Sequence, residues 1–211
     1  MKSIALFLFA AFIALNVMGQ GQAETFIKEA QDYLAKKDYK QAQLSLQDAV
    51  NDLNMTIAAE LGKSLPAEIN GLTAEGDASV SGGAMGMMGG GFTITKKYQH
   101  PTNKDNNAEV QIMANSPMLA SLNMYLTNPS MMGSEYKSVR VGGTQRAIMK
   151  SEMQDAYDDK GISTKIRSSE IQIPLSQTLI TINANGFATE QDELAFANKL
   201  DIPKLKTALG E

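Results

Sequence analysis

The spacing of hydrophobic residues changes near residue 65, from a helical period before that point to a strand period after it. One apolar stripe at helical spacing covers residues 26–34 and a second covers 39–57, with a break at 36–38. Thr25 is the expected N-cap of the first helix, and so short a turn requires the two helices to pack antiparallel. A lone hairpin packs on the next domain or on a partner, and the spacing leaves both open.

The second domain shows alternating strands and tight turns. Residues 92–98 and 108–113 alternate as strands do, and Gly142-Gly143 has the composition of a hairpin turn. Pro174 cannot donate to a β-ladder, which predicts an edge position or a bulge at that point.

Two helices are expected within this second domain. Ser116-Pro117 opens one with an apolar face, and Thr189 caps the last one, with Asp192 three residues on. The expected fold class is therefore α+β, an antiparallel β-sheet covered by helices on one side. The sequence divides into a helical hairpin over residues 24–64 and an α+β sheet domain over residues 65–211.

Residues 1–23 have the parts of a secretory signal peptide. Lys2 supplies the positive start, residues 4–17 form a largely apolar run, and Gly21 and Ala23 are the small residues needed before a cut. The run is shorter than the roughly 20 residues that span a membrane, which favours cleavage after Ala23 over an uncleaved anchor. We expect a mature protein with no integral membrane segment, in the periplasm or outside the cell.

Charge and cysteine content exclude several classes of protein. The chain carries 19 basic and 23 acidic side chains, a net charge of −4, and no segment forms a basic stripe. A nucleic-acid surface needs such a stripe to displace counterions, so we expect no nucleic-acid partner. Without cysteine the chain has neither a disulfide framework nor the lipidated cysteine of a bacterial lipoprotein.

The Gly/Met tract, residues 82–91 with the sequence GGAMGMMGGG, places three methionines among glycines. Methionine is unbranched and polarisable, which suits apolar contacts that must adapt to a partner. The predicted binding set is Met85, Met87, Met88, Phe92, Met118, Met131 and Met132. The alternative is a flexible hairpin tip whose methionines only fill the core. Phosphate-binding glycine loops lead into a helix, whereas Gly91 leads into a strand, so nucleotide binding is not expected.

Thioethers are also soft ligands that suit Cu(I), so the Gly/Met tract allows a copper site as a second hypothesis. Its ligands would be Met85, Met87 and Met88, joined by Met113, Met118, Met131 or Met132. The methionines lack the regular spacing of dedicated copper sites. The lone histidine, His100, precedes a proline in a polar stretch typical of a solvated loop. We expect no resident metal and no other cofactor.

Catalytic sets are hard to assemble from this chain. With one histidine and no cysteine, a nucleophile and base pair could form only around His100, which no nucleophile motif adjoins. A hydrolase-type carboxylate site is the remaining enzyme hypothesis, and its candidates are Asp155, Asp158 and Asp159 in one cluster and Glu190, Asp192 and Glu193 in another. Both clusters have the features of structural carboxylates, a solvated loop and the acidic first turn of a helix. We expect binding and not catalysis.

A longer pattern of short motifs runs along the chain and consists of Leu65-Pro66, Gly71, Met87-Met88-Gly89-Gly90-Gly91, Tyr98, Ser116-Pro117-Met118-Leu119, Asn128-Pro129, Gly142-Gly143 and Arg146-Ala147. This pattern resembles a family of secreted bacterial proteins without a known activity. The order of elements is also similar to the Mog1/PsbP-like α/β sandwich, whose members bind different partners, so this likeness concerns fold alone. The expectation is a secreted binding protein whose Gly/Met tract contacts an envelope protein or a lipid.

Overall fold

A computed structural model of the chain describes residues 22–82, 91–128, 131, 133–157, 161 and 163–211. The chain divides into two units between Leu53 and Asn54. This boundary lies within a helix, before the end of the hairpin at residue 64 that the sequence predicts. The reason is that Ala58, Leu61 and Leu65 are buried in the core of the second unit.

The predicted helical hairpin is present, and the first unit contains its first helix and the first part of its second. Helix α1 spans Ala23–Ala35 and helix α2 spans Tyr39–Ser64. Thr25 lies inside α1 and does not cap it, because the helix already begins at Ala23, whose N–H donates to an Asp52 carboxylate oxygen at 2.9 Å. The start of α1 therefore lies beside residue 52 of α2, while the turn joins their other ends, and the two helices are antiparallel.

The second unit is built on an antiparallel sheet, and the chain belongs to the α+β class. The described residues form nine strands: β1 Glu68–Ile69, β2 Leu72–Ala74, β3 Ser79–Gly82, β4 Phe92–Gln99, β5 Asn107–Ala114, β6 Tyr136–Val141, β7 Gln145–Tyr157, β8 Ser163–Pro174 and β9 Thr178–Asn185. Their spatial order is β1-β2-β4-β5-β9-β8-β7-β6, and β3 pairs with β4.

Three helices follow strands of this sheet. Helix α3 spans Leu119–Thr127, α4 spans Glu190–Ala197 and α5 spans Ile202–Leu209. Helix α3 begins two residues after the predicted start at Pro117, and the Ser116 hydroxyl accepts a bond from the Met118 N–H at 3.4 Å. The predicted cap of α4 is confirmed, because Thr189 and Asp192 form a reciprocal capping box.

The larger core lies on one face of the sheet. Alternate residues of the central strands point into it, as in the pattern Phe92, Ile94, Lys96 and Tyr98 of β4, and α4 and α5 pack on them. The buried Lys96 ammonium donates to the Leu65 carbonyl at 2.9 Å, and the Tyr98 hydroxyl donates to the Pro66 carbonyl at 3.0 Å. Burial raises the pKa of Tyr98 to about 12, so its hydroxyl keeps the donated proton at neutral pH.

The opposite face of the sheet carries helix α3. Leu119, Leu122 and Leu126 of this helix pack on Ile148 of β7 and Leu179 of β9. Ile148 lies between Ala147 and Met149, which point into the larger core, so α3 covers the other side. Helices therefore lie on both faces of the sheet, whereas the sequence predicted helices on one face only.

Two turn positions explain local details of the sheet. Pro174 ends an interior strand, contrary to the expected edge or bulge, but it lies beyond Gln172, the last β8 residue paired with β7. Its missing N–H therefore interrupts no ladder on that side. Gly186 has a φ of +67°, and a Cβ there would lie 2.2 Å from the Asp105 carbonyl oxygen, so the turn at Asn185-Gly186 requires glycine.

Candidate functional site

The ends of the Gly/Met tract are held by paired strands. Gly82 of β3 is the register partner of Phe92 in β4, so the tract connects the two strands of a β-hairpin. Residues 83–90, which include Met85, Met87 and Met88, lie outside the described residues. The copper(I) hypothesis and the adaptable-contact hypothesis for these three methionines therefore stay predictions.

The tract enters the sheet beside the segment that leads into helix α3. A Cβ on Gly91 would lie 2.6 Å from the Ala114 carbonyl oxygen, so glycine permits this close approach of the two backbones. Ala114 ends β5, and the chain continues through Ser116 to Met118. The end of the Gly/Met tract and the first turn of α3 thus lie at the same end of the sheet.

A pocket opens between helix α3 and the sheet. It has a volume of about 320 Å³. Its lining combines methionine, tyrosine and aliphatic side chains with few polar groups: Met118, Ser121, Leu122, Tyr125, Met131, Gly133, Tyr136, Ile148 and Gln172. We refer to it as the α3 pocket. A concave, mostly apolar lining with a few polar groups is the usual composition of a ligand site.

The pocket exists because helix α3 is short and its leucines cover only part of the sheet. Beyond the contact with Ile148 and Leu179, large apolar side chains at the pocket remain open to solvent. Met118 is 48% exposed, Met131 is 55% exposed and Tyr136 is 39% exposed. Buried apolar contacts hold the floor in place, while the walls are side chains that solvent and a ligand can reach.

The structure brings together two of the predicted binding residues. Met118 and Met131 line the same pocket, although they are thirteen positions apart in the sequence. Phe92 is 4% exposed and packs in the larger core on the other side of the sheet, and Met132 lies outside the described residues. The described part of the predicted surface is thus centred on helix α3.

Sequence reasoning did not identify Tyr136, Ile148 and Gln172 as site residues. One signal pointed to Ile148, because Ala147-Ile148-Met149 are three consecutive apolar residues in a predicted strand. Such a run is typical of a strand covered on both faces, and it indicates a helix on the second face. Gln172 is the register partner of Ile148, so only strand pairing places it in the pocket.

The carboxylates of the enzyme hypothesis have structural partners where the structure describes them. Asp155 accepts bonds from Lys165 and Ser163, both at 2.9 Å, and these bonds lower its pKa. Glu190 pairs with Lys137, while Asp192 belongs to the capping box. Asp158 and Asp159 lie outside the described residues.

The third carboxylate of the α4 cluster is fully buried. Glu193 accepts bonds from Nε of Arg167 at 3.3 Å, from Nη2 of Arg167 at 3.0 Å and from the Ser169 hydroxyl at 2.8 Å. The bonds from Arg167 to Glu193 raise the pKa of Arg167, and together with the Ser169 bond they join α4 to β8. Glu193 therefore acts within the core, away from the α3 pocket.

His100 has a local role in a turn. Its Nδ1 accepts bonds from the N–H groups of Thr102 at 3.3 Å and Asn103 at 3.2 Å. Within the described part of the chain, no three side chains of His, Asp or Glu are grouped as a metal site would require.

Comparison with protein-family models, curated proteins and solved structures found no match to this chain. Of the helices that the structure describes, none is both long and apolar enough to cross a membrane.

Proposed function

We propose that this is a non-catalytic binding protein of the cell envelope, which uses the α3 pocket and the adjoining Gly/Met tract to bind an apolar group of a protein or lipid partner. The observation that carries the proposal is the exposure of Met118, Met131 and Tyr136 around one pocket. Large apolar side chains grouped at a solvent-open concavity are typical of interaction sites.

The side chains of the pocket fit an apolar ligand that carries a polar end. Thioethers and aromatic rings supply polarisable contact area, and the unbranched methionines can adapt to different shapes. The lining residues with polar groups are Ser121, Tyr125 and Tyr136, with their hydroxyls, and Gln172, whose amide also donates to Glu170. They would orient a peptide backbone or a lipid headgroup next to the apolar group.

The Gly/Met tract supports the same function by its position. Gly91 enters β4 beside Ala114, at the end of the sheet from which the chain continues to Met118. Met85, Met87 and Met88 lie in the sequence between Gly82 and Gly91, in the connection from β3 to β4. The envelope location rests on the signal-like composition of residues 1–23.

Polar substitution of the pocket methionines tests the proposal. We expect the double variant Met118→Gln, Met131→Gln to bind the hydrophobic dye 1-anilinonaphthalene-8-sulfonate about thirtyfold more weakly than the wild type. Each substitution removes roughly 1 kcal/mol of apolar contact but keeps the side-chain length. The measurement is a fluorescence titration of each purified protein.

Met153→Gln is the matched control, because Met153 is 56% exposed but lies outside the pocket lining. Dye affinity should be unchanged in this variant. Equal affinity in the wild type and the double variant would contradict the proposal. Displacement of the dye by a lysophospholipid would identify a lipid source of the apolar group, and displacement by an apolar peptide would identify a protein source.

A further inference from the structure

Two arginines lie opposite each other in the hairpin formed by strands β6 and β7. The chain contains three arginines, at positions 140, 146 and 167. Arg167 is bonded to Glu193, whereas Arg140 of β6 and Arg146 of β7 are register partners. The Cα atoms of such partners lie about 5 Å apart, and their side chains point to the same face of the sheet. We call Arg140 and Arg146 the arginine pair.

The arginine pair is on the face of the sheet that carries helix α3. Val139 and Ala147, the chain neighbours of the pair, pack in the larger core, so the two arginine side chains point to the opposite face. Ile148, which lines the α3 pocket, lies two residues from Arg146 on that same face. Two residues along a strand span about 7 Å, so the arginine pair lies beside the floor of the pocket.

The arginine pair has no counter-ion in the part of the chain that the structure describes. Within those residues, no carboxylate lies at ion-pair distance from either guanidinium group, and both arginines are exposed. Like charges directly opposite each other destabilise a pair of strands. An anion bound between the two guanidinium groups would relieve this repulsion.

The other end of the pocket floor has charges that are already paired. Lys150 follows Ile148 by two residues on the same face, but its ammonium group pairs with Glu152 at 3.3 Å. Glu170 accepts a bond from the Gln172 amide at 2.6 Å, and helix α3 contains no charged residue. Among the described residues, the positive charge that lacks a partner beside the pocket floor is therefore that of the arginine pair.

Bonds at the end of the β6–β7 hairpin fix the backbone that carries the arginine pair. The N–H of Gly142 donates to Oδ1 of Asn198 at 2.8 Å, and Nε2 of Gln145 donates to the Pro174 carbonyl at 2.8 Å. Both strands are therefore held before any ligand binds, so little backbone ordering is needed on binding. The planar fork of N–H donors in arginine matches the oxygens of a phosphate group.

We propose that the α3 pocket and the arginine pair together bind an anionic single-chain lipid, with its acyl chain in the pocket and its phosphate group on Arg140 and Arg146. This inference rests on the proposed function, because the pocket is the apolar part of the site. The pocket volume of about 320 Å³ is at the small end of ligand sites, which suits one chain and not two. A lipid of this class has an apolar group and an anion side by side, as the site requires.

Two lipids that differ only in a phosphate group test the inference: 1-lauroylglycerol 3-phosphate and 1-monolauroylglycerol, each below its micelle concentration. We expect isothermal titration calorimetry to show that the wild-type full chain binds the phosphate form about tenfold more tightly, because two partly solvated ion pairs contribute an effect of that order. The variant Arg140→Gln, Arg146→Gln should lose this preference and bind the uncharged lipid as the wild type does. Added salt should weaken the preference as well.

The variant Lys199→Gln, Lys204→Gln is the matched control. It removes the same charge from two exposed residues, which lie on the side of the sheet where α4 and α5 pack. The preference for the phosphate form should therefore remain. Inorganic phosphate alone should bind far more weakly than the lipid, and equal binding would overturn the inference by assigning the arginine pair to a free anion.

The remaining outcomes separate this inference from the proposed function. Equal binding of the two lipids by the wild type would overturn the inference, and so would a preference that the arginine variant retains. In both cases binding of 1-monolauroylglycerol would still support an apolar pocket. Failure of both lipids to bind a protein whose pocket binds the dye would overturn the inference but not the proposed function.

The stability of the lipid-free protein distinguishes a binding role of the arginine pair from a structural one. Removal of two facing like charges should leave the melting temperature unchanged or slightly higher. Addition of 1-lauroylglycerol 3-phosphate should raise the melting temperature of the wild type more than that of the arginine variant. A lipid-free variant that melts well below the wild type would overturn the inference, since the arginines would then stabilise the fold.

Discussion

Replacing Glu193 by alanine is expected to lower the free energy of unfolding by about 3 kcal/mol. Removal of one partner of a buried ion pair costs roughly 3–5 kcal/mol, because the other charge and its hydrogen-bond donors are left without an acceptor. Glu193 is fully buried, while the side chain of Arg167 is 26% exposed, so water can partly solvate the remaining cation. We therefore expect the lower end of the range, measured by urea denaturation at neutral pH.

Glu190→Ala provides the control in the same helix. Glu190 pairs with Lys137 at the surface, where both side chains are partly exposed, and such pairs contribute about 0–1 kcal/mol. Loss of Glu190 should therefore change stability far less than loss of Glu193. Similar losses for the two variants would show that the bonds from Arg167 and Ser169 do not stabilise the fold in the way described.

Replacing Phe196 by alanine is expected to cost about 3–5 kcal/mol, the largest single effect that we predict. Phe196 is fully buried, and its ring makes edge-to-face contacts with Tyr98 at 5.5 Å and with Phe187 at 5.9 Å between ring centroids. Truncation removes these contacts and leaves a cavity between α4 and the sheet. Thermal and urea unfolding of the variant measure the loss.

The variant Phe196→Leu separates the contribution of the buried apolar volume from that of the aromatic contacts. Leucine keeps most of the apolar volume but removes the aromatic pairs, which are worth roughly 0.5–1.5 kcal/mol each. Its cost should lie well below that of the alanine variant. If leucine and alanine destabilise the protein equally, the core at Phe196 does not have the close packing that the ring contacts indicate.

Local signals in the sequence were sufficient for much of the fold. The strands at residues 92–98 and 108–113 agree with β4 and β5 to within a residue at each end. The capping box at Thr189 and Asp192 is confirmed because it depends on residues three apart. Alternation and capping act over a few residues, so a single sequence contains them in full.

Features that depend on distant residues were not predicted. Strands β7 and β8 extend to Tyr157 and from Ser163, through residues that are mostly polar and exposed, because each pairs with the other over ten positions. Helix α3 lies on the second face of the sheet, and the apolar run Ala147-Ile148-Met149 indicates that this face is covered without specifying which helix covers it. The unit boundary at Leu53 likewise depends on which half of α2 the second core buries.

The lining of the α3 pocket also combines residues that the sequence predicted with residues that it did not. Met118 and Met131 were predicted as binding residues from composition, since methionines suit adaptable apolar contacts. Tyr136, Ile148 and Gln172 join them only through the pairing of β6, β7 and β8. The sequence therefore identified part of the lining, and the register of the sheet supplied the rest.

The methionine methyl groups give the most direct measurement of the proposed binding site. In a protein labelled with ¹³C-methyl methionine, titration with 1-anilinonaphthalene-8-sulfonate should shift the resonances of Met118 and Met131 together, at the dye concentration that saturates fluorescence. Met153 is exposed but lies outside the pocket lining, so its resonance should stay in place. Saturating dye binding that leaves Met118 and Met131 unshifted, or shifts all exposed methionines alike, would contradict an α3 pocket that binds apolar groups.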